Sequence, residues 1–309
     1  MIKLFTDSDT DLTLLEAKKY GYELISMPYV IDDKIYYPYK EYEVFDYKPF
    51  YEMLRNGVIP KTCALNIEDY RNYFEKVFQN GDDILYVHFS RAMTATFDSM
   101  DALISELKEK YPERKFYAID TKAITIGSNI IVKEIGDMYL KGESIENIMK
   151  WAEKEVDKFA CYFYADDLKF FKASGRVSNL AAVFGSLIGI KPIIYIGTDG
   201  KMTNIGKEHG RTKALKKLVD TMEEIGDDIK NHRIVASVDL HVDTFQPRNG
   251  TQTSVLFLQK KTQEQKDTEE KSGTMADYNI FMAMVEKVGH DKRGNPTFKR
   301  DKEGNEILV

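Results

Sequence analysis

The chemistry legible in this chain begins with three hydroxyl side chains at one strand-to-helix crossing. Ser90, Thr94 and Thr96 lie in Phe89-Ser-Arg-Ala-Met-Thr-Ala-Thr-Phe97, directly after the apolar run Ile84-Leu-Tyr-Val-His88. A helix that starts there points unpaired backbone N–H groups outward and carries partial positive charge at that end. Short hydroxyls beside such N–H groups make a site for a phosphate or a carboxylate. His88 and Ser90 share one face of a strand, as a base and a nucleophile would. No Gly-x-Ser-x-Gly elbow accompanies them and no third group is in place, so a core histidine and a structural hydroxyl are expected. Asp7, Asp9 and Asp11 alternate as metal ligands sometimes do, yet they lack the glycine and the late glutamate of a calcium loop. They read as a solvated turn or a helix cap. No catalytic residue and no metal ligand are assigned.

These residues need elements to hold them. Ile2–Thr6 predicts a first strand and Leu12–Tyr20 a helix ended by Gly21. A strand pattern follows over Tyr22–Ile31, with a hairpin from Tyr29 to Tyr37 around Asp32-Asp33-Lys34. Phe45–Asn56 is helical, Pro60–Asn66 a loop, and Asn66 the N-cap of a helix over Ile67–Gln79. The opening strand and its helix run to Lys110. Lys115–Asp120 is the next strand, and helices cover Ser128–Leu140 and Ser144–Val156. This alternation predicts an α/β domain over residues 1–155, with a parallel sheet covered on both faces. Ligands of such sheets bind beyond the carboxyl ends of the strands, where Ser90 to Thr96 stand.

From Phe159 the pattern changes to a mixed α+β region over 156–230. A helix is expected near Asp166–Lys172 and another over the apolar Leu180–Ile188. Ile190–Gly197 and Lys201–Gly206 pair across Asp199-Gly200, and Arg211–Ile225 is an amphipathic helix. Residues 231–309 form an atypical tail. It offers strands at Ile234–Leu240 and Ser254–Leu258, a polar loop over Thr244–Thr253, a solvated or disordered stretch over Gln259–Thr274 and an apolar helix at Tyr278–Val288. Gly289–Val309 is a charged end with little core.

Composition narrows the classes. The chain has 309 residues, 43% of them hydrophobic, and a net charge of -6. That is enough apolar surface for packed cores, and a balance that argues against a nucleic-acid binder. Cys63 and Cys161 support neither a disulfide framework nor a zinc site and fit a reducing cytoplasm. No signal peptide is visible, and no run approaches the ~20 apolar residues of a membrane span.

Three clusters together resemble the DegV family of fatty-acid-binding proteins over about residues 1–230. They are Thr6-Asp7-Ser8 with Asp11-Leu12; His88-Phe-Ser90-Arg-Ala-Met-Thr94-Ala-Thr96-Phe-Asp98-Ser99; and Leu168-Lys-Phe-Phe171, Gly175-Arg176-Val177-Ser178, Gly189-Ile-Lys191-Pro192, Asp199-Gly200 and Arg211 in that order. The resemblance implies a Rossmann-like domain, a mixed α/β domain and an acyl chain buried between them. It implies Thr62 and Thr94 as hydroxyls on the fatty-acid carboxylate, with Ser90 and Thr96 beside them. Arg176 and Arg211 become candidates for an acyl phosphate or a partner kinase, since an arginine fork suits phosphate. The implied role is a lipid carrier, not an enzyme, which presents the carboxylate to a fatty acid kinase and has no cofactor beyond the bound lipid. Cys63-Ala64-Leu65-Asn66 departs from the family's usual Ser-Gln-Pro-Ser, and Arg91-Ala92 and Ala95 from its Ser-Gly and Gly.

The tail resembles a late fragment of adenine-specific DNA methylases over Asp243–Thr262 and Tyr278–Asn295, without the motifs that perform methyl transfer. The chain thus reads as a hybrid joined between about Gly226 and Ile234. The alternative function is a nonfunctional hybrid, or an accessory fragment of a restriction-modification methylase.

Overall fold

The computed structural model describes residues 1–41, 47–165, 169–178, 189–225, 232–239, 254–260, 263–272, 281–284, 298–300 and 306–308. The expected helix at Leu180–Ile188 and the polar loop at Thr244–Thr253 lie outside them. The chain divides into two compact units, residues 1–45 with 58–214 and residues 46–57 with 215–309.

In the first unit, β1 Ile2–Asp7, β2 Tyr22–Ile25, β6 Asp83–His88 and β7 Phe116–Asp120 form an all-parallel sheet in the order β2-β1-β6-β7. Each strand alternates its side chains between two cores, as a two-residue period requires. Phe5, Ile84 and Tyr86 face one core, built with α4 Ile67–Gln79 and α5 Thr96–Lys110. Leu4, Leu85 and Val87 face the other, built with α1 Leu14–Tyr20, α6 Ile126–Leu140 and α7 Ile145–Glu155. Local sequence starts α4 as expected. Asn66 caps α4 and Asp69 reaches back to the Asn66 N–H, a closed capping box. Gly21 ends α1 in the left-handed region at φ 78°.

The run read as one strand from Tyr22 to Ile31 serves two sheets. Its second half, β3 Tyr29–Ile31, pairs with β4 Lys34–Tyr36 and with β5 Lys61–Thr62. Thr62 therefore sits on a two-residue strand, in a segment expected to be loop. Pairing across 30 residues leaves no local signature.

A second sheet, in the order β8-β10-β11-β9, comprises β8 Cys161–Tyr164, β9 Val177–Ser178, β10 Ile190–Ile196 and β11 Met202–His209. Strands β10 and β11 are the expected hairpin, antiparallel across Asp199-Gly200. Val177, Ile190, Ile194 and Met202 enter the same core as Phe5 and Tyr86, so this sheet and the parallel sheet share one apolar interior. Between β8 and β9 lies α8 Lys169–Ser174, and after β11 comes α9 Arg211–Ile225.

The second unit holds α3 Tyr47–Arg55 and a three-stranded sheet. β12 His232–Asp239 is its centre, with β13 Ser254–Lys260 antiparallel on one side and β14 Phe281–Met284 parallel on the other. Two expectations are corrected here. Phe281–Met284 is a strand, not part of a helix over Tyr278–Val288; a short apolar run fits either geometry, and pairing with β12 decides it. Gln263–Ser272 is helix α10, inside a stretch expected to be solvated or disordered. Short β15 Phe298–Arg300 and β16 Glu306–Leu308 pair as a hairpin within the charged end. No helix among the described residues is long and apolar enough to cross a membrane.

Candidate functional site

Beyond the end of β6 the chain makes one short helical turn, Arg91–Met93, before α5 begins. Ser90 caps that turn and Thr94 closes it, in extended backbone conformation. The four candidate hydroxyls around it divide into two pairs.

Ser90 and Thr96 are fully buried. Ser90 Oγ donates to the Gly200 carbonyl at 2.7 Å and accepts from the Ala92 N–H at 3.2 Å. Thr96 Oγ1 accepts from the Leu65 N–H at 2.9 Å and lies 3.2 Å from the Tyr70 hydroxyl. Both hydroxyls are occupied by the protein itself.

Thr62 and Thr94 are held differently. Thr94 Oγ1 accepts from the Thr96 N–H at 3.1 Å. Thr62 Oγ1 accepts from Arg176 Nη2 at 2.9 Å. In each case the oxygen serves as acceptor, which leaves the hydroxyl proton to be donated. Arg176 connects the two places. Its Nε donates to the carbonyl of Met93, one residue before Thr94, at 3.1 Å, and its Nη1 to the Ser174 carbonyl at 3.0 Å. One guanidinium thus ties β5 to the turn that ends at Thr94. Arg211 is the first residue of α9.

The acidic loop supplies the remaining charge. Asp7 is completely buried, which corrects the expectation of a solvated turn. Its cap role stands: Oδ1 accepts from the Asp9 N–H at 3.1 Å, at the head of the helical turn Ser8–Thr10. Its Oδ2 takes the Tyr86 hydroxyl at 3.0 Å and the Phe89 N–H at 3.1 Å. Burial, with the charge of Asp9 adding to it, holds the Asp7 carboxyl well above the usual carboxylate range. Asp9 is pushed up to about 6 by burial and by the charge of Asp11, against the opposing pull of Arg176. The three aspartates do not gather as ligands; no group of His, Cys, Asp or Glu among the described residues could hold a metal ion.

His88 is the expected core histidine. It is buried, its Nδ1 donates to the Phe89 carbonyl at 2.7 Å, and its ring lies 4.2 Å from that of Phe97. Burial pushes its pKa down to about 4, so the ring is neutral near pH 7. No hydrogen bond joins it to Ser90, whose proton is already given to Gly200.

Sequence reasoning did not anticipate the Gly200 carbonyl, the Met93 and Ser174 carbonyls, or Asp9 as the neighbour of Arg176. Backbone acceptors carry no residue-type signal. Ser90 and Gly200 meet across a separation of 110 positions.

An open parallel sheet and a mixed second sheet on a shared core define an α/β protein, with a hydroxyl-and-guanidinium cluster at a strand end. The family model described as uncharacterised protein, DegV family, matches residues 1–261. A DegV domain-containing protein of Clostridium perfringens is 35% identical over 221 residues, which are 72% of this chain and 76% of that protein. The chain belongs to the DegV family. The match runs past the junction expected between Gly226 and Ile234, so β12 and β13 fall within the family's span. The likeness of the tail to a DNA methylase gains no support from these matches.

Among solved structures, the fold is similar to a stearic acid-binding protein from Eubacterium ventriosum, at 23% identity and TM-score 0.66, covering 77% of this chain and 82% of that one. It is similar also to a DegV family protein from Thermus thermophilus described for its fatty acid binding, at 18% identity and TM-score 0.63, with 92% of each chain covered. DegV of Bacillus subtilis, described as a fatty acid binding protein, matches at 21% identity and TM-score 0.62, again with 92% of each chain covered.

Proposed function

We propose that this protein binds a long-chain fatty acid and carries it as a cytoplasmic lipid carrier, presenting the carboxylate to a fatty acid kinase. One observation carries the reading: the guanidinium that donates to Thr62 Oγ1 also holds the carbonyl just before Thr94, whose own Oγ1 accepts from the Thr96 N–H, so both threonine oxygens accept and both protons remain to be donated. A carboxylate needs such donors, because taking its charge out of water without them is prohibitive. Arg176 adds positive charge, and charge-assisted hydrogen bonds are the strong ones. The acyl tail enters the apolar interior shared by the parallel sheet and the β8-β10-β11-β9 sheet, gaining about 0.8 kcal/mol for each methylene buried. The fatty acids described for the Eubacterium, Thermus and Bacillus proteins support this choice of ligand.

In this reading Thr62 and Thr94 hold the head group and Arg176 aligns them. The kinase supplies ATP and the bond-forming step; this chain contributes no catalytic residue and uses no cofactor beyond the bound lipid. Arg176 and Arg211 are the side chains we assign to an acyl phosphate or to the kinase surface.

Mass spectrometry of protein purified under native conditions is expected to show a copurifying fatty acid. If none is found, and neither oleate nor palmitate binds when added, the reading fails. Thr94→Val keeps the shape and removes the donor. A hydrogen bond to a charged group is worth about 1.5–3 kcal/mol, so oleate binding should weaken about tenfold or more, read by fluorescence titration.

A further inference from the structure

We propose that Ser90 is a positioning residue: its hydrogen bond to the Gly200 carbonyl lets the β10–β11 hairpin set where Thr94 stands. The inference rests on the fatty-acid reading above and deepens it, moving Ser90 from the ligand's contacts to the support behind them.

The geometry is closed on both sides. Ser90 is fully buried and spends its proton on Gly200, so it has none to offer a ligand. Its oxygen accepts from the Ala92 N–H, and its backbone carbonyl takes the Met93 N–H at 3.3 Å. The turn from Arg91 to Met93 is thereby built on Ser90, and Thr94 is the residue that leaves it. The Ser90 N–H is anchored in turn by the Ala123 carbonyl at 2.7 Å.

The hairpin side is equally fixed. Gly200 has φ 74°, a conformation that favours glycine. A Cβ added to it would stand 2.3 Å from Ser90 Oγ and 3.3 Å from the Ala92 Cβ. Only glycine lets the hairpin approach this closely. The hairpin tip is itself closed, since the Gly200 N–H donates to the Gly197 carbonyl at 2.8 Å and the Gly197 N–H to the Lys201 carbonyl at 3.1 Å. At the far end of the Arg91–Met93 turn, Arg176 donates to the Met93 carbonyl from just before β9, the strand paired with β11. The turn that presents Thr94 is therefore gripped at its start and its end by groups belonging to the second sheet. A shift of that sheet moves the head-group donor, so head-group affinity depends on a contact that never touches the ligand.

The test compares oleate with methyl oleate, which has the same chain and no carboxylate, on the full chain and on Ser90→Ala. Expected is about a tenfold weaker oleate affinity with methyl oleate affinity unchanged. Equal losses for both lipids would mean that Ser90 merely supports the fold, and an unaltered oleate affinity would remove its role; either overturns the proposal. Should the variant fail to fold, hydrogen exchange on the unmodified protein decides. Oleate should slow residues 90–94 and 197–201 together, more than methyl oleate does, and slowing confined to 90–94 overturns the coupling. Unmodified protein that binds neither lipid overturns the fatty-acid reading and this inference with it, a result distinct from a failure of Ser90 alone.

Discussion

Each of the three guanidinium nitrogens of Arg176 donates to an uncharged oxygen, so its charge is aimed without being neutralised by a contact ion pair. A carboxylate whose charge acts with it is Asp9, so under the fatty-acid reading ligand binding should depend on pH. Asp9, raised by burial and by the charge of Asp11 against the pull of Arg176, sits near pKa 6 instead of its ordinary 3.8. As pH falls from 7.5 to 5.5, Asp9 gains a proton and stops competing with an anionic ligand for Arg176. Under the fatty-acid reading, the ionised fraction of oleate should bind severalfold more tightly at the lower pH, and Asp9→Asn should flatten that dependence; a titration at several pH values, referred to the ionised ligand, checks both. Among the candidate residues, Thr94 was legible because a hydroxyl after a buried strand has a physical use. Thr62 was legible only through family likeness. The fork that joins them was not, because two of the acceptors of Arg176 are backbone carbonyls, which every residue possesses.

Helices and strands show the same division between local and distant causes. The capping box of Asn66 and Asp69 and the glycine that ends α1 are local devices, and they act where the sequence predicts. Phe281–Met284 obeys no local device, and its partner across the sheet makes it a strand. Helix α10 is polar on nearly every side, so it lacks the apolar stripe by which a helix is usually recognised. Contacts between elements are equally invisible in sequence, and Gly136 is an example. It lies within α6, and a Cβ there would come within 2.7 Å of the Tyr20 ring of α1. Gly136→Ala gains helix propensity yet forces two packed helices apart. Overpacking of this kind costs about 1–3 kcal/mol, so a lower urea midpoint is expected, with no acid-specific change in lipid affinity.

At the scale of the molecule, the family's span and the hydrogen-bonded sheet do not end at the same residue. The family match stops at 261, while β12 inside it is completed by β14, which begins at Phe281. Removing everything after residue 261 would strip β12 of its parallel neighbour and bare a strand edge, which invites pairing with other chains. Such a truncated protein should lose soluble yield and show faster amide exchange over residues 232–239. A truncated protein that stays monodisperse with slow exchange there would show that β14 is dispensable. The parallel sheet and the β10–β11 hairpin could be read from their patterns, as could β12 and β13. Strand β14 could not, because its parallel pairing joins segments far apart in the chain.

That parallel pair also has a consequence in time. Strand β12 ends at residue 239 and β14 begins at 281, a gap of 42 positions (281 minus 239). Ribosomes add about 5–20 residues per second, so the gap represents roughly two to eight seconds of synthesis. For the second half of that interval, after β13 ends at residue 260, the nascent chain holds a finished β12–β13 pair with the other edge of β12 uncovered, and whatever shields that edge in the cell must act within those seconds.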